Sequence, residues 1–253
     1  MQGKLIVLTL FIIFSVIPAD AQRFVSKGKD TIDTSVGQNW SISLGYSSIP
    51  TKFGEASLFA DVPEHPVLNE SLPEVTLNGG FHLATLFHFK EKWYWGLSYS
   101  NNSSNASPNR GRDFVSSFGL NFGQQIPLKY ESEDFFASFE LGIASYNARR
   151  SLVGFRDYSG ASLRRQSGSF TPAIRFDANL YKEQIYLFVQ AKYFVNFGGN
   201  VRIRLSKFNE IEDETDYSSI RFDNPGVEVS ESAQLKVRRP YEIVIGIRYN
   251  FDF

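Results

Sequence analysis

Apolar and polar residues alternate along residues 241–253, the last segment of the chain. The odd positions carry only tyrosine, isoleucine and phenylalanine, whereas the even positions carry mostly polar residues such as Glu242, Arg248 and Asn250. Because successive side chains of a strand point to opposite faces, this period of two predicts a strand with one apolar and one polar face. A free edge of this length would favour aggregation, so the pattern indicates a strand of a closed barrel.

Seven further segments alternate in the same way, and with the last one they predict an all-β fold. The predicted architecture is a single eight-stranded antiparallel up-and-down barrel that spans a membrane, with its apolar face toward lipid. The opposite faces carry glycine, serine and a few long polar side chains, because an eight-stranded barrel is only wide enough for side chains to fill. The eight segments are residues 40–46, 75–89, 93–99, 114–122, 135–143, 170–180, 185–197 and 241–253.

The connections between these segments differ in length. Residues 90–92 and 182–184 are short links, and residues 124–134 form a link of middle length. The remaining connections are long: residues 47–74, 100–113, 148–169 and 198–236. Short turns at one end and long loops at the other are typical of outer-membrane barrels, so we expect the long loops to be extracellular.

The beginning of the chain has the pattern of a secretory signal peptide. Lys4 precedes an apolar run at residues 5–17, and Ala19-Asp20-Ala21 follows as a cleavage site. The run is too short to span a bilayer as a helix. We therefore predict a signal peptide at residues 1–21, cleaved after Ala21, a periplasmic N-terminal lead at residues 22–38 and the barrel at residues 39–253. The absence of cysteine excludes disulfides and cysteine-ligated metal.

The C-terminal residues carry a resemblance to a known class of proteins. Tyr249, Phe251 and Phe253 alternate and end on phenylalanine, which resembles the C-terminal assembly signal of bacterial outer-membrane barrels. Together with the signal peptide and the eight strands, the whole chain resembles small, porin-like outer-membrane barrels of the OmpA and OmpX type. This resemblance implies a place in the outer membrane of a Gram-negative cell envelope, contact with lipid and lipopolysaccharide, and assembly by periplasmic chaperones and the barrel-assembly machinery.

Charged residues on the polar faces of several strands fall at similar depth. Because unpaired charges inside a narrow barrel would be costly, we predict a paired polar network that fills the lumen. The alternative is a polar path or a cradle for a small ligand. The residues of this predicted network are Glu140, Arg175, Asp177, Lys192 and Arg248.

Two of the long connections have opposite charge. The third is basic, and the fourth carries the acidic residues Glu210, Glu212, Asp213, Glu214 and Asp216. The two connections could pair with each other or be simply solvated. Alternatively, the basic one contacts lipopolysaccharide phosphates, which suit the forked guanidinium group, while the acidic one binds divalent cations or a partner. The candidate phosphate contacts are Arg149, Arg150, Arg156, Arg164 and Arg165.

The histidines give no sign of catalysis. His82 and His88 lie on one face of one strand, but six residues separate them by about 20 Å, so they cannot share a metal ion or a triad. We predict no catalytic, metal or cofactor site and no cofactor. A net charge of −1 gives no indication of nucleic-acid binding, and we expect a monomer.

The function that these patterns favour is that of a non-enzymatic outer-membrane barrel with a structural or surface-interaction role, such as adhesion or lipopolysaccharide contact. A small channel or ligand-conducting barrel is an alternative, and it requires a wet lumen. A lipid A-modifying enzyme that uses His82 is a third hypothesis. A secreted soluble barrel with an apolar interior is the fourth, and it would leave the C-terminal pattern and the loop asymmetry unexplained.

Overall fold

The structure is a computed structural model of the chain. It describes residues 40–49, 52–90, 92–105, 111–129, 132–152, 160–181, 184–209, 214–235 and 240–251. The predicted signal peptide and periplasmic lead lie outside these residues, and so does Phe253. Among the residues that are described, no helix has the length and apolar character needed to cross a bilayer.

The described chain is almost entirely β-structure. One short 3-10 helix, Glu231–Gln234, follows the sixteenth strand. The strands in chain order are β1 (Trp40–Ser48), β2 (Lys52–Phe53), β3 (Ala56–Ala60), β4 (Leu68–Leu72), β5 (Val75–Thr76), β6 (Gly80–Lys90), β7 (Trp93–Ser103), β8 (Phe114–Lys129), β9 (Ser132–Ser151), β10 (Gly160–Phe170), β11 (Ala173–Tyr181), β12 (Ile185–Tyr193), β13 (Val195–Phe197), β14 (Val201–Asn209), β15 (Glu214–Arg221), β16 (Val227–Val229) and β17 (Tyr241–Phe251).

Eight of these strands close into a barrel. Going round it, β1, β6, β7, β8, β9, β11, β12 and β17 each pair antiparallel with the next. The last strand pairs with the first, so that Phe251 lies opposite Trp40. One edge of β9 pairs with β8 along most of the length of both strands. The other edge pairs with β10 at residues 143–151 and with β11 at residues 135–140, where Glu140 lies opposite Ala173. The predicted eight-stranded antiparallel barrel is confirmed.

The outer surface of the barrel is an apolar belt. On β9, for example, Leu141 and Ile143 are 56% and 62% exposed, whereas Glu140, which precedes Leu141 and points inward, is buried. At the end with the short turns, Trp40 packs against Phe87 at 4.9 Å between ring centroids, and Phe87 against Trp95 at 5.7 Å. Exposed apolar side chains around a closed barrel, with aromatic residues at its rim, are the features of the outer-membrane class. The predicted class is therefore confirmed.

Several strand ends differ from the prediction because local backbone chemistry interrupts the alternation. The segment predicted at residues 170–180 is divided by Pro172, which has no N–H to donate to a ladder, so that Phe170 ends β10 and Ala173 begins β11. Gly79, with a φ of 101°, separates β5 from β6. The link of middle length predicted at residues 124–134 was wrong, since β8 continues to Lys129 and β9 begins at Ser132.

Three of the four connections predicted as long loops, at residues 47–74, 148–169 and 198–236, contain strands of their own. Beyond the barrel, β9 continues and pairs with β10, which pairs with β14, which pairs with β15. A second sheet of β16, β3 and β4 accompanies it. Apolar side chains on the inner faces of these strands and at the adjoining end of the barrel lumen form one core. This core includes Leu58, Leu68, Tyr146, Leu163, Phe194, Ile203, Leu205 and Ile220. We call the part built by β3, β4, β10, β14, β15 and β16 the extramembrane module.

Candidate functional site

The charged residues predicted for the lumen are buried and in contact with partners. Asp177 Oδ1 lies 3.0 Å from Arg175 Nη2 and 3.4 Å from Arg248 Nη1. The two guanidinium groups stack on aromatic rings, at 4.0 Å from the Phe188 centroid and 4.3 Å from the Tyr186 centroid. One carboxylate therefore sits between two cations that are also packed against rings.

The other two residues of the predicted network belong to neighbouring contacts. Glu140 accepts hydrogen bonds from the Tyr94 hydroxyl and the Gln190 amide, both at 2.8 Å. Lys192 Nζ lies 3.7 Å from a carboxylate oxygen of Glu242, which sequence reasoning did not include in the network. On the side of this polar layer toward the extramembrane module, the apolar core begins with Tyr146 and Phe194, whose ring centroids lie 5.3 Å apart. Paired charges and an apolar layer together fill the lumen.

The histidines of the lumen face aromatic rings. His82 packs at 6.3 Å from Phe188, and its Nδ1 has no hydrogen-bond partner. His88 packs at 5.2 Å from Tyr94. Within the described ranges, no group of three or more metal-ligating side chains comes together.

The most unusual feature is a row of four arginines across four strands of the extramembrane sheet. Arg149 on β9 lies directly opposite Arg164 on β10. Arg164 lies opposite Arg202 on β14, and Arg202 lies opposite Arg221 on β15. Residues directly opposite each other in an antiparallel sheet share a face, so the four side chains leave the same face. We call this row the arginine ladder.

The ladder faces outward because the alternating positions of the same strands face the core. Ala148, Leu163, Ile203 and Ile220 alternate with the arginines and are buried in the apolar core. The same parity of β9 that places Leu141 and Ile143 on the apolar belt places Arg149 on the ladder. The outer face of the barrel and the ladder face are therefore one continuous surface.

The carboxylates in the described part of the chain form no ion pair with the ladder, although Asp223 lines a pocket together with Arg221. None of the ion pairs found there involves a ladder arginine, and Arg149 Nε is buried without a hydrogen-bond partner. Burial lowers the pKa of Arg164, and the charges of Arg149 and Arg204 lower that pKa further. Like charges directly opposite each other destabilise a sheet. The ladder therefore does not stabilise the fold, and its presence requires a different explanation.

Aromatic side chains and a groove complete the site. Phe114 lies under Arg149 at 5.6 Å, and Tyr217 lies under Arg204 at 4.0 Å. The groove has a volume of about 950 Å³, and the described residues that line it include serines but no carboxylate. Its arginines are Arg149, Arg164, Arg165, Arg202 and Arg204. Such a concave, cationic and partly aromatic surface suits an anion.

The arginines singled out in the sequence have different positions. Arg149 and Arg164 stand on the ladder, and Arg165 lines the groove with Nη2 at 3.4 Å from the Gly198 carbonyl oxygen. Arg150 points into the core, where its guanidinium donates to the Gly54 carbonyl oxygen at 2.7 Å and also to that of Pro73. Arg150 is 1% exposed and so is not available to an external phosphate.

Some of the residues singled out in the sequence lie outside the described ranges. Three further arginines of the site were not predicted from the sequence. Arg156, Glu210, Glu212 and Asp213 lie outside the described residues. Arg202, Arg204 and Arg221 were missed because they belong to the connection that was interpreted as acidic. The signal that could have found them is the strict alternation Val-Arg-Ile-Arg-Leu at residues 201–205.

The C-terminal aromatic residues lie on the outer face near the barrel rim. Tyr249 is 41% exposed, and its ring packs at 4.8 Å from that of Phe251. Phe251 lies opposite Trp40 at the seam between the last and first strands. The role of Tyr249, Phe251 and Phe253 as an assembly signal stays a prediction.

No family model matches the chain, and no curated protein matches its sequence. Solved structures similar to this chain include the attachment invasion locus protein Ail of Yersinia pestis, with 14% identity, a TM-score of 0.42, and coverage of 85% of this chain and 99% of Ail. The outer membrane protein OprG of Pseudomonas aeruginosa has 14% identity and a TM-score of 0.45, over 86% and 97%. The outer membrane protease OmpT of Escherichia coli has 11% identity and a TM-score of 0.31, over 88% and 99%.

Proposed function

We propose that this protein is a non-enzymatic integral outer-membrane barrel whose extramembrane module contacts the anionic outer leaflet, with lipopolysaccharide phosphates as its ligands. The observation that carries the proposal is the arginine ladder on a face continuous with the apolar belt. A lipid-facing barrel presents this face to the lipid that surrounds it. A cationic row at that position therefore meets the headgroups of the same lipid.

The height of the ladder supports this assignment. Phe118 on β8 is 47% exposed and lies opposite Ser145 on β9. Arg149 follows Ser145 by four residues, which is about 13 Å along a strand. Aromatic residues mark the interface of a membrane barrel, and Phe114 on β8 lies directly opposite Arg149, so the ladder begins at an aromatic level of the outer face. Forked guanidinium groups at that level can bind phosphate through two hydrogen bonds each.

The filled lumen supports a role at the surface rather than conduction. A channel needs a continuous aqueous path, whereas Asp177 with its two arginine partners and the apolar layer at Tyr146 and Phe194 occupy that path. We propose that the barrel anchors and orients the extramembrane module. The channel hypothesis predicts single-channel conductance in planar bilayers, which this proposal does not.

The proposal can be tested by measuring binding to lipopolysaccharide. The protein in nanodiscs would be titrated with intact and with dephosphorylated lipopolysaccharide. Hydrogen bonds to charged groups contribute about 1.5–3 kcal/mol each, so the double variant Arg149→Gln/Arg164→Gln should bind intact lipopolysaccharide at least tenfold more weakly. Lys52→Gln is the matched control, because it removes an exposed cation that is not part of the ladder and that pairs with Glu74.

The outcomes are distinct. Loss of affinity in the ladder variant, with no loss in Lys52→Gln and little binding of the dephosphorylated ligand, is the expected result. Equal affinity of wild type and ladder variant for intact lipopolysaccharide would overturn the proposed contact.

A further inference from the structure

We infer that the arginine ladder, together with Arg204, is a binding site for a single ligand that carries several phosphate groups in a row. This inference rests on the proposed function, since it concerns the same face. It adds the arginines of the fourth long connection, Arg202, Arg204 and Arg221, to the site. It also specifies the chemistry of the ligand, which must be multivalent.

The spacing of the ladder sets the length of the ligand. Neighbouring strands lie about 4.8 Å apart, so the three steps from Arg149 to Arg221 extend over roughly 14 Å. A single phosphate is too small to extend over this distance. A ligand with three or more phosphates can contact all four strands, and each contact makes the next one intramolecular.

Arg221 lines a smaller pocket that shares Gly199 and Asn200 with the groove. The groove itself, lined by Arg149, Arg164 and Arg202, has room for such a ligand. Its volume of about 950 Å³ is at the upper end of the usual range for small-molecule sites, about 300–1,000 Å³, and far exceeds what one phosphate needs. Arg204, stacked on Tyr217, lies one outward position along β14 from Arg202 and gives the row a second cation at this strand. Ser219 lies opposite Arg204 and adds a hydroxyl to the same wall.

The like charges of the ladder explain why binding of the ligand should raise the stability of the fold. Arg164 lies between Arg149 and Arg202, and each of these pairs is a directly opposed like-charge pair. Like charges in these positions destabilise the sheet. A polyanion that bridges the row removes the repulsion, so ligand binding and folding of the module are linked.

This linkage distinguishes a binding site from a structural feature. If an arginine of the row serves only to stabilise the fold, its removal lowers stability. If it serves a ligand, its removal relieves repulsion and raises the stability of the unliganded protein, while it weakens ligand binding. Arg202 and Arg221 are exposed, so glutamine fits at both positions without loss of core packing.

The test uses full-length protein in detergent, freed of lipopolysaccharide, with orthophosphate and tripolyphosphate as probes at equal ionic strength. Calorimetric titration gives the affinities, and urea unfolding gives the midpoints. Tripolyphosphate should bind at least tenfold more tightly than orthophosphate. Arg202→Gln and Arg221→Gln should each lose most of that preference and unfold at higher urea than wild type without ligand. Lys207→Gln, on the same strand as Arg202 but outside the ladder row, should change neither quantity.

A second arm, lipopolysaccharide in nanodiscs, separates the sources of phosphate. If lipopolysaccharide and tripolyphosphate both bind and both depend on Arg202, the row recognises lipid-borne phosphates. If tripolyphosphate binds with this dependence and lipopolysaccharide does not bind, the inference stands with a free polyanion as ligand, and the proposed function is overturned. If lipopolysaccharide binding depends on Arg149 and Arg164 but not on Arg202 or Arg221, the proposed function stands and this inference is overturned. Equal affinity for orthophosphate and tripolyphosphate also overturns it.

Discussion

Replacing Asp177 by asparagine should destabilise the barrel strongly. Asp177 is 2% exposed, and its carboxylate lies within 3.0 Å of Arg175 and 3.4 Å of Arg248. Asparagine keeps the shape but removes the charge, so two buried guanidinium groups lose their counter-ion. Breaking a buried pair from one side costs about 3–5 kcal/mol, which corresponds to a hundredfold or greater change in the unfolding equilibrium constant.

Urea unfolding in detergent micelles, followed by tryptophan fluorescence, measures this loss. The tryptophans at the barrel rim report the opening of the strands around them. Glu74→Gln is the matched control, because its partner Lys52 is 61% exposed and such surface pairs contribute less than about 1 kcal/mol. Exchange of all three buried residues for apolar ones should recover most of the lost stability.

A loss below about 1 kcal/mol for Asp177→Asn, equal to that of the surface control, would refute this reasoning. It would mean that water reaches the two arginines and solvates them when the carboxylate is removed. A wet lumen of that kind is what the channel hypothesis requires, so this result would also weaken the proposed surface role.

Three further variants test the barrel wall and the module. Ile245 is 51% exposed on the apolar belt, so Ile245→Asp should cost about 1–3 kcal/mol of insertion and lower the amount in the membrane fraction, whereas Ile245→Leu should not. Gly246→Ala should reduce the yield of folded barrel on refolding, because the added Cβ would lie 2.1 Å from the Leu44 carbonyl oxygen at the seam of first and last strands. Arg150→Met removes hydrogen bonds to the backbone that follows β2 and precedes β5, so limited tryptic cleavage at Lys52 should become faster than in wild type.

The barrel could be predicted from the sequence because the membrane imposes a strict rule on each strand. Lipid outside and a narrow lumen inside require alternation at every step, as at Glu140, Leu141 and Ile143. The strand ends were harder to predict, because they depend on single backbone features such as Pro172 and Gly79. These features interrupt the pairing without altering the apolar pattern around them.

The extramembrane module could not be recognised in the same way. Residues 201–205 alternate clearly, but a strand of this length is stable only with a partner, and the partner β10 lies in another connection. Polar and acidic residues in the same connection obscured the short pattern. A connection is easily taken for an open loop when its hydrogen-bond partners are distant in the sequence.

The ladder depends on register, which is fixed by tertiary structure. Arg149, Arg164, Arg202 and Arg221 lie far apart in the sequence and come into one row only through the pairing of β9, β10, β14 and β15. A slip of one residue in any of these pairs would move an arginine to the core face. The basic character of the site could be read from Arg149 and Arg164, but its extent could not.

Single-cysteine labelling on intact cells tests most directly that the barrel spans the outer membrane with the extramembrane module outside. The chain has no native cysteine, so background labelling is absent. Val67 between β3 and β4 is 57% exposed, and Gln184 lies in the short turn between β11 and β12. A membrane-impermeant maleimide should label Val67→Cys on intact cells and Gln184→Cys only after the envelope is permeabilised. Labelling of Gln184→Cys on intact cells, or recovery of both variants in the soluble fraction, would contradict this account.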